Sequence, residues 1–207
     1  MARKTKAEAA LTRDRIVTCA RQIFSREGVT NTSLEQVAKE AGVTRGAVYW
    51  HFRDKADLFL AVRHQTGTLL RFGDHKAGDA LQRLEAGMQA ALARLGSDRQ
   101  ARETYEVMLW KCEYVGAFAD VRQDLMSVGT LFLAEATELY AEAVRTKVAA
   151  ADLEPALAAR ETLCFYAGLL KLWLADEQGD KVRNHLRRLI TGHVESRRQR
   201  AGRQKAG

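Results

Sequence analysis

The residues whose types and spacing best suit a chemical role lie in one short stretch, Thr44 to Phe52. Val48 and Phe52 are four residues apart, so in a helix they anchor the same face on a hydrophobic core. The opposite side then presents a set of hydrogen-bonding, cationic and aromatic positions: Thr44, Arg45, Gly46, Tyr49 and Trp50.

Such a surface suits DNA, because its groups match those that phosphates and base edges offer. Arg45 can donate two hydrogen bonds to O6 and N7 of a guanine, and Thr44, Tyr49 and His51 can donate to phosphates. Gly46 costs about 1 kcal/mol relative to alanine inside a helix. Its missing side chain would let the start of the helix come close to the bases of a major groove.

Two short helices joined by a tight turn are predicted to position this surface. Thr32 and Glu35 have the spacing of a capping box, which predicts a helix start, and Gly42 predicts its end. Thr44 can then cap the second helix. The pair fits a helix-turn-helix over residues 33–52, and from this pattern alone an ordinary helical hairpin with exposed aromatic side chains fits as well.

Neighbouring helices are predicted to complete a small N-terminal head. A first helix is expected from Thr12 to Arg26, and Asp54 can cap a further helix that runs through Leu69. Lys55 lies in the first turn of that further helix. Its ammonium and the free backbone N–H groups there would together suit a phosphate.

The rest of the chain has the pattern of successive long amphipathic helices. The connection at residues 177–180 is short and contains glycine, so the last two helices should form an antiparallel hairpin. No run alternates apolar and polar residues with β-branched enrichment, which predicts an all-α fold. The predicted spans are Ala77 to Leu95, Arg102 to Glu113, Phe118 to about Ala150, Pro155 to about Asp176, and Asp180 to about Arg200.

The net charge of the 207-residue chain, +7, is distributed unevenly. Residues 1–63 carry +5, residues 64–196 carry −3 and residues 197–207 carry +5. A basic head suggests an anionic partner, and an acidic body suggests a separate task. No apolar run approaches the roughly 18 residues of a membrane span, and no secretory signal is visible.

Cysteine and histidine usage argues against metal and disulfide chemistry. The three cysteines are far apart and are expected to be reduced thiols of a cytoplasmic protein. His185 and His193 are eight residues apart and lack a third ligand. Neither a phosphate-binding glycine motif nor HExxH is present, so we expect no cofactor, no metal and no enzymatic activity.

The segments Thr32 to Ala38 and Ala41 to Leu58 resemble the DNA-binding domain of the TetR family. More narrowly, the sequence is similar to the AcrR- and TtgR-type repressors of multidrug efflux operons. Lys111-Cys112-Glu113-Tyr114 resembles the KCEF segment of these repressors. The resemblance is dense over residues 1–60 and patchy over residues 105–125.

This resemblance implies a role for individual residues of the head. Thr32 and Ser33 would start a helix whose N-terminus touches backbone phosphate. Arg45 would be the main base reader, with Gly46 and Ala47 lying against the bases. The implied phosphate or sugar contacts are Thr44, Tyr49, Trp50, His51 and Lys55.

The resemblance also implies three segments and about nine helices. Residues 10–70 would form the helix-turn-helix domain, residues 71–200 a ligand-binding and dimerisation domain, and residues 201–207 a basic disordered tail. Members of the family are homodimers joined through the last two helices. The effector contacts that the resemblance implies are Tyr105, Leu109 and Lys171, and Met108, Phe132 and Phe165 are further candidates because methionine and aromatic side chains suit an apolar pocket. The apolar and aromatic residues also fit an ordinary core or the dimer seam, and Lys171 also fits a surface lysine.

The predicted function is a transcriptional repressor that binds a palindromic operator on double-stranded DNA as a dimer. A small hydrophobic or cationic effector would release it, because the effector binds two conformations with different affinities. The regulated genes are expected to encode a multidrug efflux pump. The alternative is an effector-independent DNA-binding protein of the same fold.

Overall fold

The computed structural model describes residues 5–65, 75 and 77–198 and, for residues 122–128, the backbone alone. In these ranges the chain is helical, with one isolated β-bridge between Ala149 and Arg198 and no strand, which confirms the all-α prediction. The helices are α1 (Lys6–Glu27), α2 (Leu34–Glu40), α3 (Arg45–His51), α4 (Lys55–His64), α5 (Ala80–Ser97), α6 (Arg99–Trp110), α7 (Ala119–Arg145), α8 (Pro155–Ala175) and α9 (Leu186–Glu195). Gly116–Phe118 and Arg183–His185 form 3₁₀ helices.

The first helix begins six residues before its predicted start at Thr12. Thr5 accepts a hydrogen bond from the Glu8 backbone N–H, and the Glu8 carboxylate accepts one from the Thr5 N–H. This reciprocal capping box satisfies two N–H groups that would otherwise have no partner at the helix start. The predicted continuation of α4 to Leu69 and the basic tail at 201–207 lie outside the described residues.

The helices pack into two compact units, of which the first comprises Met1–Gly67 and Asp98–Asp124. Its core is formed by α1 to α4 together with α6, whose Val107 is fully buried. Arg21 of α1 donates to Glu103 of α6 at 3.2 Å and to Gln65 at 3.0 Å. The predicted division near residue 70 differs from this packing, because the apolar face of α6 is buried against the N-terminal helices.

The second unit comprises Thr68–Ser97 and Leu125–Gly207. Thr162 of α8 is hydrogen-bonded to His193 of α9 at 2.9 Å, and Glu161 accepts from Arg197 at 3.0 Å. The Arg183 guanidinium lies over the Trp173 ring, near the other end of α8. Residues in the first half of α8 thus contact the end of α9, and a residue near the end of α8 contacts the segment before α9. The two helices therefore run antiparallel, as predicted.

A single buried carboxylate organises the connection between α8 and α9. Asp176 accepts hydrogen bonds from the backbone N–H groups of Gly179, Lys181, Val182 and Arg183. These N–H groups lower the pKa of Asp176. No helix in the described ranges combines the length and the hydropathy needed to cross a membrane.

Candidate nucleic-acid interface

Helices α2 and α3 form a tight helix-turn-helix. The turn between them contains Gly42, which has a φ of 60°, and the Val43 N–H donates to the carbonyl of Ala38 at 3.0 Å. Glycine adopts this left-handed conformation without the penalty that a Cβ brings. Thr44 caps α3, since its hydroxyl accepts from the Ala47 N–H at 3.2 Å. The predicted turn and its cap are therefore present.

The capping box of α2 uses a different pair from the predicted Thr32 and Glu35, and that prediction was wrong by one position. Ser33 accepts from the Gln36 N–H at 3.1 Å, and the Gln36 side chain accepts from the Ser33 N–H at 2.8 Å. Thr32 is only 2% exposed, and its hydroxyl donates to the Gly28 carbonyl at 2.7 Å. Both residue pairs satisfy the same sequence pattern, and burial of the threonine decides between them.

Helix α3 has one buried and one exposed face. Val48 is buried within the helix and Phe52 directly after it, as their spacing predicts. Trp50 is 73% exposed, and its ring meets the His51 ring edge-on at 4.5 Å between centroids. The same exposed side carries Thr44, Arg45, Gly46 and Tyr49, while Ala47 and His51 are half-buried. The face thus presents donors, a cation and aromatic rings to the solvent.

Arg45 is held on this face by two neighbours. Its Nε lies 2.9 Å from Oε1 of Glu35 in α2, and its guanidinium carbon lies 5.3 Å from the centroid of the Tyr49 ring. The Arg45 side chain is still 66% exposed. Sequence reasoning missed Glu35 as a partner of Arg45. The helical period places Glu35 on the outer face of α2, but this position does not indicate that Arg45 is its partner.

Lys55 connects the start of α4 to the loop before α2. Its ammonium donates to the backbone carbonyl of Thr30 at 3.0 Å and to that of Thr32 at 2.8 Å. Burial lowers the pKa of Lys55. An ammonium has three donors, and these two carbonyls use two of them. In this structure the lysine predicted to contact phosphate also fixes the loop that leads into α2.

The segment Lys111 to Tyr114 attaches the end of α6 to the same loop. The Lys111 carbonyl accepts from the Val29 N–H at 2.9 Å. The Tyr114 hydroxyl donates to the Met108 carbonyl, and its ring packs edge-on against Phe59 of α4. Burial raises the pKa of Cys112 to about 11, so its thiol is almost entirely protonated at neutral pH.

The six residues predicted to contact an effector are distributed over both units. Tyr105, Met108 and Leu109 belong to α6 in the first unit; Tyr105 is buried, Met108 packs on the core of that unit and Leu109 is exposed. The other three lie on α7 and α8 in the second unit: Phe132 stacks on Tyr166 at 5.9 Å, Phe165 stacks on His193 at 4.1 Å, and Lys171 is on the surface. Of these six residues, Phe132 and Phe165 therefore pack closely on another aromatic ring.

Comparisons with known proteins agree with this architecture. The model of the family described as "Bacterial regulatory proteins, tetR family" matches residues 16–62. The chain is 35% identical over 192 residues to the transcriptional regulator AcrR of Shigella flexneri, covering 90% of this chain and 89% of that protein. It is 34% identical over 201 residues to the transcriptional repressor BepR of Brucella suis biovar 1 (strain 1330), covering 95% and 96%.

The fold has a close counterpart among solved structures. The crystal structure of NalD, the secondary repressor of the MexAB-OprM multidrug efflux pump in Pseudomonas aeruginosa, superimposes with a TM-score of 0.82. The two chains are 26% identical, and the match covers 95% of this chain and 100% of NalD.

Proposed function

The chain belongs to the TetR family of bacterial regulatory proteins, and on this premise we propose that it is an effector-responsive repressor of transcription. It binds a palindromic operator on double-stranded DNA as a homodimer, in the cytoplasm, and a small hydrophobic or cationic effector releases it. The genes it controls encode a multidrug efflux pump. The similarity to NalD, a repressor of such a pump, supports this last part.

The observation that carries the proposal is the exposed face of α3 on a tightly closed helix-turn-helix. Arg45 reads a guanine through its two parallel donors, and Gly46 and Ala47 lie against neighbouring bases. Contacts to phosphate or sugar come from Thr44, Tyr49, Trp50, His51 and Lys55, and from the N-terminus of α2 at Ser33. The Thr32 hydroxyl is committed to Gly28, so Thr32 contributes by shaping the turn before α2.

The homodimer is proposed to form through α8 and α9. Exposed leucines on both helices support this surface, since Leu157 and Leu172 lie on α8 and Leu189 lies on α9. Two copies related by a twofold axis would bury the same patch on each subunit. A twofold protein in turn requires an operator with two matching half-sites.

The effector is proposed to bind the helices that follow the head; of the six predicted residues, three lie on α6 in the first unit and three on α7 and α8 in the second. Aromatic rings and methionine suit apolar ligands of varied shape, which supports this choice. Effector binding releases the operator only if it favours a conformation with lower affinity for DNA.

The direct test is binding of the full-length protein to the DNA upstream of its own gene. We expect a protected palindrome whose half-sites are about 34 Å apart, one helical turn, or a multiple of that distance. A duplex with a single half-site should bind much more weakly than the full site. Equal affinity for the single and the double site would contradict the dimeric repressor.

Gly46→Ala should stabilise the fold and weaken operator binding. A Cβ at this position would meet only the Thr44 hydroxyl, at 4.0 Å, so the free protein has room for it. Alanine in a helix raises the free energy of unfolding by up to about 1 kcal/mol. On DNA the same methyl group would separate α3 from the bases, and we expect a loss of roughly tenfold, as for one mismatched base pair.

Urea unfolding and fluorescence anisotropy with the operator measure the two effects of Gly46→Ala separately. Gly96→Ala is the matched control, because Gly96 lies in α5 and its Cβ would make one ordinary contact, with Trp173 at 3.9 Å. This control should leave operator affinity unchanged. Full operator affinity in Gly46→Ala would show that α3 does not approach the bases closely at this residue.

A further inference from the structure

Glu35 has a place in the head that the proposed function leaves unused. It lies in the first turn of α2, its carboxylate is 2.9 Å from Nε of Arg45, and both side chains are largely exposed. The pair therefore bridges α2 to α3 on the surface that carries the proposed base reader.

We propose that Glu35 limits the affinity for the operator, by competing with DNA for the guanidinium of Arg45. This inference rests on the proposed function, since it assigns Arg45 to base reading. In the free protein the carboxylate and the Tyr49 ring hold Arg45 in place. To contact DNA with all its donors, Arg45 has to leave Glu35.

The operator complex bears the cost of that exchange, because its guanine contact needs a free Arg45, whereas a complex with random DNA does not. A guanine in the correct position offers Arg45 two acceptors in a fixed geometry. Random DNA offers mainly phosphate oxygens, which any cation on the surface can use. Once Arg45 has left, the Glu35 carboxylate is an acceptor without a donor, close to polyanionic DNA. Random DNA can be bound while Arg45 stays paired with Glu35, so Glu35 weakens operator binding more than non-specific binding.

The strength of the pair fits such a role. Exposed ion pairs contribute little to stability, so a guanine can replace the carboxylate at a small cost in free energy. The contact between the Arg45 guanidinium and the Tyr49 ring does not involve Glu35. Removal of the carboxylate therefore leaves the guanidinium on the same face.

Glu35→Gln tests the proposal, with Glu40→Gln as the matched control. Glu40 lies at the other end of α2 and is also exposed, and its partner is Arg26 at 4.0 Å. Both variants remove one negative charge from the same helix, but only the first releases Arg45. Anisotropy titrations with the operator and with a random duplex of equal length, over a range of salt concentrations, measure both affinities.

We expect Glu35→Gln to increase the affinity for the operator by roughly two- to fivefold more than Glu40→Gln does. Affinity for random DNA should rise by less than affinity for the operator, so the ratio of operator affinity to random-DNA affinity increases. The salt slope on random DNA should steepen by about one unit, because Arg45 becomes available to a phosphate. In an Arg45→Ala background, the two glutamine variants should behave alike.

Two results would overturn the inference while leaving the proposed function intact. One is an equal change in operator affinity for Glu35→Gln and Glu40→Gln. The other is a loss of operator affinity at unchanged random-DNA affinity, which would mean that Glu35 itself contacts DNA. A wild-type protein that does not distinguish the upstream DNA from random DNA would instead contradict the proposed function, and the inference with it.

Discussion

Arg45→Ala is expected to lower the affinity for the operator by roughly 5- to 100-fold while changing the affinity for random DNA by no more than about twofold. The side chain is exposed and contacts only Glu35 and Tyr49 among the contacts described for it, so its removal should leave the fold intact. The loss should be largest for operators that keep one particular guanine. Base-substituted operators should show that Arg45→Ala no longer distinguishes that base pair.

Lys55→Ala is the comparison that distinguishes the loss of a base contact from the loss of a phosphate contact in this experiment. Removing a cation near phosphate weakens binding to all sequences and reduces the salt slope by about one unit. Lys55 also donates to the Thr30 and Thr32 carbonyls, so its loss should loosen the entry into α2 as well. Equal losses on operator and random DNA for Arg45→Ala would exclude Arg45 as a base reader.

Phe59→Ala is expected to lower the free energy of unfolding by about 3–5 kcal/mol, which is a large part of the stability of a domain. Phe59 of α4 is almost fully buried, and its ring meets three others, those of Phe24, Tyr114 and Phe118, with centroids 6.3, 6.2 and 5.7 Å away. Alanine would leave a cavity where α1, α4 and the segment after α6 come together. Urea unfolding followed by circular dichroism measures the change.

Leu11→Ala is a suitable control for Phe59→Ala, because Leu11 lies on α1 and is 70% exposed. Its replacement should change the free energy of unfolding by less than about 0.5 kcal/mol. If Phe59→Ala had an effect as small as this control, α4 would not pack against α6 and the segment after it in the way described. The operator affinity of Phe59→Ala should also fall, since α4 carries Lys55 at its start.

Local signals in the sequence were enough to predict the elements of the reading head. Val48 and Phe52 define the buried face of α3, and Gly42 ends α2, because both features depend on residues within one or two turns. The capping box was placed one residue too early, since Thr32 and Ser33 both match its pattern. Burial of Thr32 against Gly28 is a tertiary effect, and the local pattern contains no information about it.

Contacts between distant residues were the part that the sequence did not predict. The helical period places Glu35 on the outside of α2, but only the crossing of α2 and α3 brings it to Arg45. Similarly, a cation at the start of α4 suggests a phosphate, and the fold supplies Lys55 with two carbonyls 23 and 25 residues away. The apolar face of α6 predicted burial without indicating which unit of the protein would cover it.

The central claim, that a small molecule controls operator binding, is tested most directly by one titration. The full-length protein bound to a labelled duplex from upstream of its own gene is exposed to a panel of cationic dyes, flavonoids and antibiotics, and anisotropy reports the bound fraction. We predict that at least one compound raises the dissociation constant for the operator by roughly 5- to 150-fold, the usual range of coupling between two sites. If no compound of a broad panel changes the operator affinity while the protein still distinguishes operator from random DNA, the protein is an effector-independent DNA-binding protein and the claim is contradicted.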